Sequence, residues 1–326
     1  MITIISFIQQ QRGIEMSSFA SMFNLNSLMS NDDDPVDVMC IDISNLSVAT
    51  LMNNFKPKDQ NDINQQIVRH IVLDTIRHNV VKFKGEYPEI VLAFDDNKYW
   101  RRSKAWYYKK KRKMEQEASD WDWDRLNGFL HPTYDEIRAN LPYKGIRVDF
   151  AEADDVIGVV TRKAVSEGKR VLIVSADGDF AALQKYQGVR QWSPTQKKWV
   201  TPKYGSPRND LRMKIIKGDK KDSIACIKMR NDYIVTKVEG ERAPQIRAAE
   251  LEAWLEADDP TVGMPEEWAI RYRENEELRD FDFIPKDVAT AIEEAYNAPK
   301  IGNKAKMEKY FMECKLTRMY EKLSDF

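Results

Sequence analysis

Acidic residues directly follow several apolar runs of this sequence, and this pairing is its most informative chemical feature. The clearest example is the run 171–174, which is followed by two aspartates on either side of Gly178. Consecutive apolar residues are typical of a parallel strand covered on both faces, and ligands bind beyond the carboxyl ends of such strands. A single aspartate there is most often a helix N-cap, so the repetition is what favours a shared site. The acids at predicted strand ends are Asp42, Asp95, Asp177 and Asp179.

Further carboxylates occupy the first turn of a predicted helix and a glycine-containing turn. A helix macrodipole favours acids at the N-terminus, but three acids within the four residues 152–155 exceed what a dipole needs. In the turn, Gly218 could expose backbone amides to a phosphate. These acids are Glu152, Asp154 and Asp155 in the helix, and Asp219 and Asp222 in the turn.

The nine carboxylates together define the chemistry that the sequence predicts. If they shared one crevice, they would repel one another and raise one another's pKa values unless cations bound among them. Ligand sets made only of oxygen select hard ions such as Mg²⁺, and Mn²⁺ can substitute. Two such ions about 4 Å apart can clamp a phosphodiester and activate a water molecule. The set therefore predicts metal-dependent phosphodiester hydrolysis.

The segment 98–113 combines basic and aromatic residues shortly after Asp95. Nine of its sixteen residues are Lys or Arg, and five are aromatic. A charge run is usually a solvated helix face, but interleaved aromatic residues suit stacking on single-stranded bases. We predict a basic helix that contacts nucleic acid, on which Lys109 and Arg112 share one face. The nucleic-acid-binding residues predicted in this segment and in the turn are Arg101, Arg102, Lys104, Lys110, Lys111, Lys113, Gly218, Lys220 and Lys221.

Composition argues against several other classes of protein. A net charge of −1 is only a weak argument against nucleic-acid binding, because the distribution of charge matters more than its sum. The three cysteines are far apart and there are only three histidines, which argues against zinc and favours a reducing cytosol. No apolar run approaches the ~20 residues of a membrane span. No Gly-x-x-x-x-Gly-Lys-Ser/Thr loop supports the use of nucleoside triphosphates.

The order of predicted elements indicates an α/β protein followed by helices. Predicted strands at 36–42, 89–95, 145–150 and 171–174 alternate with helices at 63–83 and 152–167, and a hairpin is predicted at 189–204. This alternation predicts a mostly parallel central sheet flanked by helices. Further helices are predicted at 244–257, 262–279 and 285–326. The predicted domains are a mobile extension over 1–34, an α/β nuclease domain over 35–205, and a helical DNA-binding domain over 206–326.

Seven short motifs carry a family resemblance. They are Cys40-Ile-Asp42, Tyr99-Trp-Arg-Arg102, Tyr107-Tyr-Lys-Lys110, Glu152-Ala-Asp-Asp155, Asp177-Gly-Asp-Phe180, Gln191-Trp-Ser-Pro194 and Gly218-Asp-Lys-Lys-Asp222. Over residues 35–326 their combination resembles the 5′ nuclease (flap endonuclease) family, most closely its ribonuclease H branch from T-even bacteriophages. The resemblance implies a helical arch at about 97–140 and a helix-three-turn-helix motif at 213–227. The turn departs from the family pattern at Ser223, Ala225 and Cys226.

The resemblance also implies a role for each site residue. It assigns Asp42, Asp95, Glu152, Asp154, Asp155 and Asp177 to a first metal ion. It assigns Asp179, Asp219 and Asp222 to a second ion, directly or through water. It places Tyr108, Lys109 and Arg112 where the family has the tyrosine, lysine and arginine of its arch.

The implied activity is Mg²⁺-dependent 5′-to-3′ cleavage of RNA–DNA hybrids, duplex DNA ends and flaps, which serves RNA primer removal on the lagging strand. The implied partners are a single-stranded-DNA-binding protein and a sliding clamp. We expect a monomer in the cytoplasm of an infected bacterial cell, without a membrane partner. Two alternatives stay open. One is a catalytically inert, structure-specific DNA-binding module, and the other is a PIN-type ribonuclease, a class that is usually shorter and lacks C-terminal helices.

Overall fold

A computed structural model of the chain describes residues 35–242 and 244–326. The predicted mobile extension over 1–34 lies outside the described residues. Residues Asp37–Phe326 belong to one folded unit, and the division near residue 205 stays a prediction. No helix within the described ranges has the length and apolarity needed to cross a membrane.

A central sheet has the strand order β3-β2-β1-β4-β5-β6. The strands are β1 (Val38–Asp42), β2 (Glu89–Ala93), β3 (Lys144–Ile146), β4 (Val171–Val174), β5 (Val189–Ser193) and β6 (Lys198–Val200). Strands β1 to β5 are parallel, and β6 pairs antiparallel with β5. The chain adds β2 and β3 on one side of β1 and β4 on the other. A crevice therefore forms where the carboxyl ends of β1 and β4 diverge.

Helices surround the sheet and make up most of the chain beyond residue 206. The helices of the described residues are α1 (Ile43–Asn54), α2 (Gln65–Phe83), α3 (Trp100–Lys104), α4 (Lys110–Glu117), α5 (Trp123–Asn140), α6 (Ala153–Ser166), α7 (Pro207–Lys217), α8 (Tyr233–Thr236), α9 (Ala248–Glu256), α10 (Glu266–Arg279), α11 (Lys286–Asn297), α12 (Lys304–Glu313) and α13 (Thr317–Tyr320). Short 3₁₀ segments lie at Pro57–Asp62, Gly178–Lys185, Phe281–Phe283 and Leu323–Asp325.

Successive residues of the central strands enter different cores on the two faces of the sheet. Met39 and Ile41 of β1 pack in a core with residues of α1, α2, α5, α12 and α13. Val38 and Cys40 pack in a second core with residues of α6 and α11. Every residue of β1 is buried, which explains why its sequence is continuously apolar up to Asp42. Helices from the end of the chain therefore complete both cores.

Local capping signals position the elements that carry the site. Asp42 caps α1 by accepting a hydrogen bond from the Asn45 N–H over 3.1 Å. Helix α6 begins with a capping box, in which the Asp155 carboxylate accepts the Glu152 N–H over 3.0 Å. The helix ends before Gly168, whose φ of 79° is left-handed and costs little without a Cβ.

The predicted fold class is confirmed: a mostly parallel sheet is flanked by helices and followed by a helical C-terminal part. The third strand is shorter than predicted, because the chain leaves the sheet after Ile146 and Phe150 has a left-handed φ of 64°. The predicted helix over 285–326 is divided into α11, α12 and α13.

Two predicted helices near the site are interrupted. The basic segment forms α3 and the start of α4, which are separated by residues 105–109. Lys109 precedes α4 with a left-handed φ of 55°, so it does not share a helix face with Arg112 as predicted. In the helix-three-turn-helix motif, turns at 220–223, 227–228 and 231–232 separate α7 from α8. The second helix therefore begins at Tyr233 and not within 219–227.

Candidate active site

Four of the predicted aspartates line a cavity of about 1010 Å³ at the carboxyl end of the sheet. Asp42 ends β1, Asp95 and Asp177 follow β2 and β4, and Asp154 lies in the first turn of α6. The Ser175 hydroxyl donates a hydrogen bond to Asp42 over 2.9 Å. The backbone N–H groups of residues 153 and 179 donate to Asp95 and Asp177 over 2.8 and 2.9 Å. These bonds hold three of the four carboxylates beside one another.

The electrostatics of this first group indicate a site for cations. Burial, and then the charge of Asp95, raise the pKa of Asp42 to about 7. Burial and the nearby Asp177 and Asp42 raise the pKa of Asp154 well above its usual range. The ion pairs that the described residues make around the site all involve other carboxylates. A divalent cation would relieve this repulsion, and an all-oxygen set fits Mg²⁺ or Mn²⁺.

The side chains do not already form a coordination shell. Among residues 35–242 and 244–326, no three His, Cys, Asp or Glu side chains converge closely enough to hold an ion as they stand. Binding of an ion by these carboxylates would therefore require some of their side chains to rotate.

Glu152 and Asp155 face the arch and not the cavity, and their assignment to the first ion stays a prediction. Both are buried, and both accept from the Arg101 guanidinium over 2.8 Å. Asp155 also accepts from the indole N–H of Trp100 over 3.0 Å. Lys109 contacts Glu152, and the charges of Lys109 and Arg101 hold the pKa of Glu152 below its usual range despite its burial. These two carboxylates anchor the arch to the N-terminus of α6.

The structure also places Arg101 and most aromatic residues of the arch inside the protein, whereas the sequence predicts that they contact nucleic acid. Arg101 is 3% exposed and donates to the Leu278 carbonyl as well as to the two carboxylates, so it does not offer its charge to nucleic acid. Trp100, Tyr107 and Tyr108 are buried, whereas Trp106 is 58% exposed. The buried rings are not accessible for stacking on bases, which leaves the exposed ring of Trp106 as a candidate.

Other basic residues of the arch do face the cavity. Arg102, Lys109, Arg112 and Lys113 line it together with the ring of Tyr99. Acidic residues at the end of α4 and the start of α5, namely Glu115, Glu117, Asp122 and Asp124, form another part of its wall. The cavity therefore has carboxylates at the strand ends and cations on the arch, which suits a phosphodiester bound through metal ions.

Tyr108 lies beneath the arch and not in the cavity. Its hydroxyl donates to Glu152 over 3.1 Å, and its side chain is 3% exposed. Burial and the charge of Glu152 raise its pKa well above the usual range. The tyrosine is therefore positioned to orient Glu152, and Glu152 in turn contacts Lys109.

The remaining predicted contacts to nucleic acid differ in exposure. Lys104 and Lys113 are exposed and face Glu277 and Glu117 at 3.6 and 3.7 Å, and Lys111 lies 3.4 Å from Glu115. Lys110, Lys220 and Lys221 are exposed. These six lysines are accessible to phosphates.

The turn at Gly218 uses one of its amides internally, and the role of Gly218 in binding a phosphate stays a prediction. A Cβ at this position would lie 2.3 Å from the Ile224 carbonyl oxygen, and the next amide, that of Asp219, already donates to that carbonyl over 2.8 Å. Its left-handed φ of 74° allows α7 to turn directly into the following segment. Glycine is required here by close packing of the backbone.

Asp179, Asp219 and Asp222 form a second group of carboxylates. All three accept from the guanidinium of Arg279, over 2.6, 3.2 and 2.6 Å respectively. Lys214 also contacts Asp179. Burial would raise the pKa of Asp222, but Lys109 and Arg279 outweigh it and the pKa is lowered. The three residues therefore lie together around Arg279, and their assignment to a second metal ion stays a prediction.

Arg279 and Lys214 are site residues that sequence reasoning missed. Arg279 is the last residue of α10, and Lys214 lies in α7. Neither belongs to a motif near the acids, and α10 is predicted only as a helix. Nothing in the spacing of the chain connects Arg279 with a carboxylate 100 residues earlier, at Asp179.

The arch and the helical part meet at the turn after α7. The Lys109 N–H donates to the Asp222 carbonyl over 2.9 Å, and the Lys111 N–H donates to the Ser223 hydroxyl over the same distance. Ser223 is buried with a left-handed φ of 61°. One of the departures from the family pattern thus serves to cap the start of α4.

Comparison with known proteins agrees with this architecture. Residues 37–206 match the family described as 5′-3′ exonuclease, N-terminal resolvase-like domain. The chain belongs to the 5′-3′ exonuclease family. Residues 205–326 match a second family, described as T4 RNase H, C terminal. The ribonuclease H of Enterobacteria phage T4 is 41% identical over 303 residues, which cover 92% of this chain and 99% of that protein.

Solved structures from phage T5 share the fold at lower sequence identity. A phage T5 flap endonuclease in a pseudo-enzyme-product complex with DNA and metal ions has a TM-score of 0.55 and 16% identity, covering 86% of this chain and 99% of that one. A T5 5′-exonuclease with bound zinc has a TM-score of 0.52 and 17% identity, covering 86% and 98%. At these identities the likeness shows a shared fold.

Proposed function

We propose that this member of the 5′-3′ exonuclease family is a Mg²⁺-dependent nuclease that cleaves RNA–DNA hybrids, duplex 5′ ends and flaps. Hydrolysis would use two metal ions, and Mn²⁺ could replace Mg²⁺. The observation that carries the proposal is the first carboxylate group, Asp42, Asp95, Asp154 and Asp177, which lines one cavity with the cations of the arch. The ions would supply a Lewis acid and an activated water at the phosphodiester.

The protein's own residues divide the remaining work. Asp42, Asp95, Asp154 and Asp177 would hold the first ion, and Asp179, Asp219 and Asp222 the second. Lys109 and Arg112 line the cavity, where they can neutralise charge that develops on the phosphate. The exposed arch lysines and Lys220 and Lys221 would bind phosphates remote from the cut.

A setting in phage replication is supported by the phage T4 relative, which is 41% identical. We propose that the protein removes RNA primers on the lagging strand, acting as a monomer in the cytoplasm of an infected bacterial cell. A single-stranded-DNA-binding protein and a sliding clamp would be its partners. The phage T5 structure described as a complex with DNA and metal ions supports a nucleic-acid substrate.

Two other functions make different predictions for the same assay. An inert DNA-binding module would bind flaps without cutting them, yet this chain keeps all the carboxylates of the family pattern. A PIN-type ribonuclease would cut only single-stranded RNA, and the C-terminal helices that complete the cores of this fold count against it.

The deciding experiment measures single-turnover cleavage of 5′-labelled hybrid, flap, duplex and single-stranded substrates in Mg²⁺. We expect cleavage of the first three, and Asp177→Asn should slow it by at least about 10²-fold, because a carboxylate that holds a metal ion is lost. Binding measured in Ca²⁺ should change little. Ca²⁺ should not support cutting, because its longer bonds and looser geometry misplace water and phosphate.

Asp124→Asn is the matched control for Asp177→Asn. Asp124 lines the same cavity and undergoes the same loss of charge, but it is exposed on α5, away from the strand ends. The single-turnover cleavage rate of Asp124→Asn should stay near that of the wild type. Retention of more than about a tenth of the wild-type rate by Asp177→Asn would contradict the metal assignment.

A further inference from the structure

The two carboxylate groups of the site differ in how their charge is balanced. The first group faces the cavity, and its four carboxylates make no ion pair with the residues that the structure describes. In the second group, all three carboxylates bind one guanidinium, that of Arg279. The first group is therefore ready to attract a cation, whereas the second already holds Arg279 against all three carboxylates and Lys214 against Asp179.

The position of Arg279 is specific. Its side chain is 3% exposed, and its two terminal nitrogens divide the three carboxylates between them. One terminal nitrogen lies 2.6 Å from Asp179 and 3.2 Å from Asp219, and the other lies 2.6 Å from Asp222. A guanidinium stays charged at any physiological pH, so this cation cannot be removed by deprotonation.

A divalent ion and this guanidinium need the same oxygen atoms. Carboxylate lone pairs that accept from Arg279 are not free to coordinate a metal, and two cations at one place repel each other. A second ion can bind only if Arg279 releases at least one of its partners. Within residues 35–242 and 244–326 no such competitor forms an ion pair with the first group, so the two ions should bind in order and with unequal affinity.

We propose that Arg279 is a built-in cation of the second carboxylate group, which competes with the second divalent ion and makes it bind after, and more weakly than, the first. This inference rests on the two-ion part of the proposed function. Arg279 also links α10 to the segments after β4 and α7, so its release would loosen the helical part where the second ion enters. Occupancy of the second position is thereby coupled to the position of α10.

The test counts and titrates bound Mn²⁺ by electron paramagnetic resonance, without substrate, in the full chain. Arg279→Met should tighten the second binding event by about tenfold or more, because both a competitor and a repelling charge are removed. The first event should change by less than about threefold, because Arg279 contacts no carboxylate of the first group. Arg279→Lys should lie in between, since an ammonium keeps the charge but cannot span three carboxylates.

Arg212→Met is the matched control. Arg212 is also a buried arginine of the helical part, but its guanidinium donates to backbone carbonyls at 254, 255, 257 and 258. Both Met variants should lower the melting temperature in EDTA. Only Arg279→Met should change the affinity for the second ion and gain more thermal stability than the wild type on addition of Mn²⁺.

The outcomes separate the two proposals. If Arg279→Met leaves the affinity for the second Mn²⁺ unchanged and loses stability as Arg212→Met does, that result would show that Arg279 only stabilises the fold. One ion in the wild type and two in Arg279→Met would support the competition. One ion in both would overturn the inference and the two-ion part of the proposed function together.

A measurement on the wild type keeps the inference testable if Arg279→Met does not fold. In protein labelled with ¹⁵N-arginine, the Arg279 Nε–H signal should shift during the second stage of a Mg²⁺ titration and not the first. A signal that stays constant through both stages would mean that the guanidinium keeps its partners, and the proposal would be wrong.

Discussion

At the scale of single residues, the site is organised by whether each carboxylate has a cationic partner. Glu152 and Asp155 are held by Arg101, and Asp179, Asp219 and Asp222 by Arg279. Removing one partner of such a buried pair leaves an uncompensated charge, which commonly costs about 3–5 kcal/mol. Asp42, Asp95, Asp154 and Asp177 make no ion pair with the residues that the structure describes, and the raised pKa values of Asp42 and Asp154 follow from their burial and from the charges of neighbouring aspartates.

The raised pKa of Asp42 gives a testable pH dependence. Its ordinary value is 3.8 and its folded value is about 7, so between these pH values the native state holds a proton that the unfolded state has lost. In EDTA, this residue should therefore make the wild type lose about 2 kcal/mol of stability between pH 5 and pH 7 relative to Asp42→Asn. Urea unfolding at the two pH values measures the difference.

Asp222→Asn is the control for the sign of this effect. The pKa of Asp222 is lowered, so its contribution to stability is complete above its ordinary value of 3.8 and is lost only below it. The difference between the wild type and Asp222→Asn should therefore stay constant from pH 5 to pH 7. Parallel pH profiles for the wild type and Asp42→Asn would show that Asp42 does not carry the proposed proton.

At the scale of elements, the arch is a broken helix whose interruption positions its cations. The break lets Tyr107 and Tyr108 enter a small core with Ile224 and Leu278. It also places Lys109 before α4, where the lysine reaches Glu152 and the cavity at once. Hydrogen bonds from the arch backbone to the turn after α7 fix this arrangement.

This geometry separates two kinds of basic residue in the arch. Lys109→Ala should lower single-turnover cleavage at saturating enzyme by about 10²-fold, as when one preorganised donor is lost. Lys110 is exposed and is not among the residues that line the cavity, so Lys110→Ala should instead lower the salt dependence of DNA binding by about one unit, with little effect on the saturated rate. Rapid-quench kinetics beside binding at several salt concentrations makes the comparison. Identical behaviour of the two variants would mean that the arch acts only as an electrostatic patch.

At the scale of the whole molecule, the last helices of the chain belong to the core of the sheet. Phe311 of α12 is 1% exposed and packs on Phe326 with a centroid distance of 5.3 Å. Both belong to the core that contains Met39 and Ile41 of β1. Stability of the catalytic sheet should therefore depend on residues about 270 positions later in the chain, because buried apolar contacts are shared.

Substitution of Phe311 tests this dependence. Phe311→Ala should lower the free energy of unfolding of the entire folded unit by about 3–5 kcal/mol, through lost burial and a cavity. The neighbouring Met312 is 60% exposed, so Met312→Ala should change it by less than about 0.5 kcal/mol. Circular dichroism and tryptophan fluorescence should report one common transition. A separate early loss of helix in Phe311→Ala would instead show that the C-terminal helices unfold independently.

The sequence by itself determined the elements that bring the first group together. Continuous apolar runs ending in Asp42, Asp95 and near Asp177 predict parallel strands, and the carboxyl ends of parallel strands must meet at one edge. The start of α6 is predicted from the acids in its first turn, and its end is predicted from Gly168. These signals are local, because neighbouring residues in the sequence are enough to indicate a strand buried on both faces or a helix cap.

Only the tertiary structure decided which charged residues face the cavity. The sequence presents Arg101 and Arg102 as equal members of a basic run, yet Arg101 is buried against Glu152 and Asp155 while Arg102 lines the cavity. The partners of Arg101 lie 51 and 54 residues away. Arg279 reaches carboxylates 57 to 100 residues earlier. The partners of a buried ion pair are decided by how distant elements pack together. The sequence pattern of either element does not indicate which residue of the other element its charged side chain will contact.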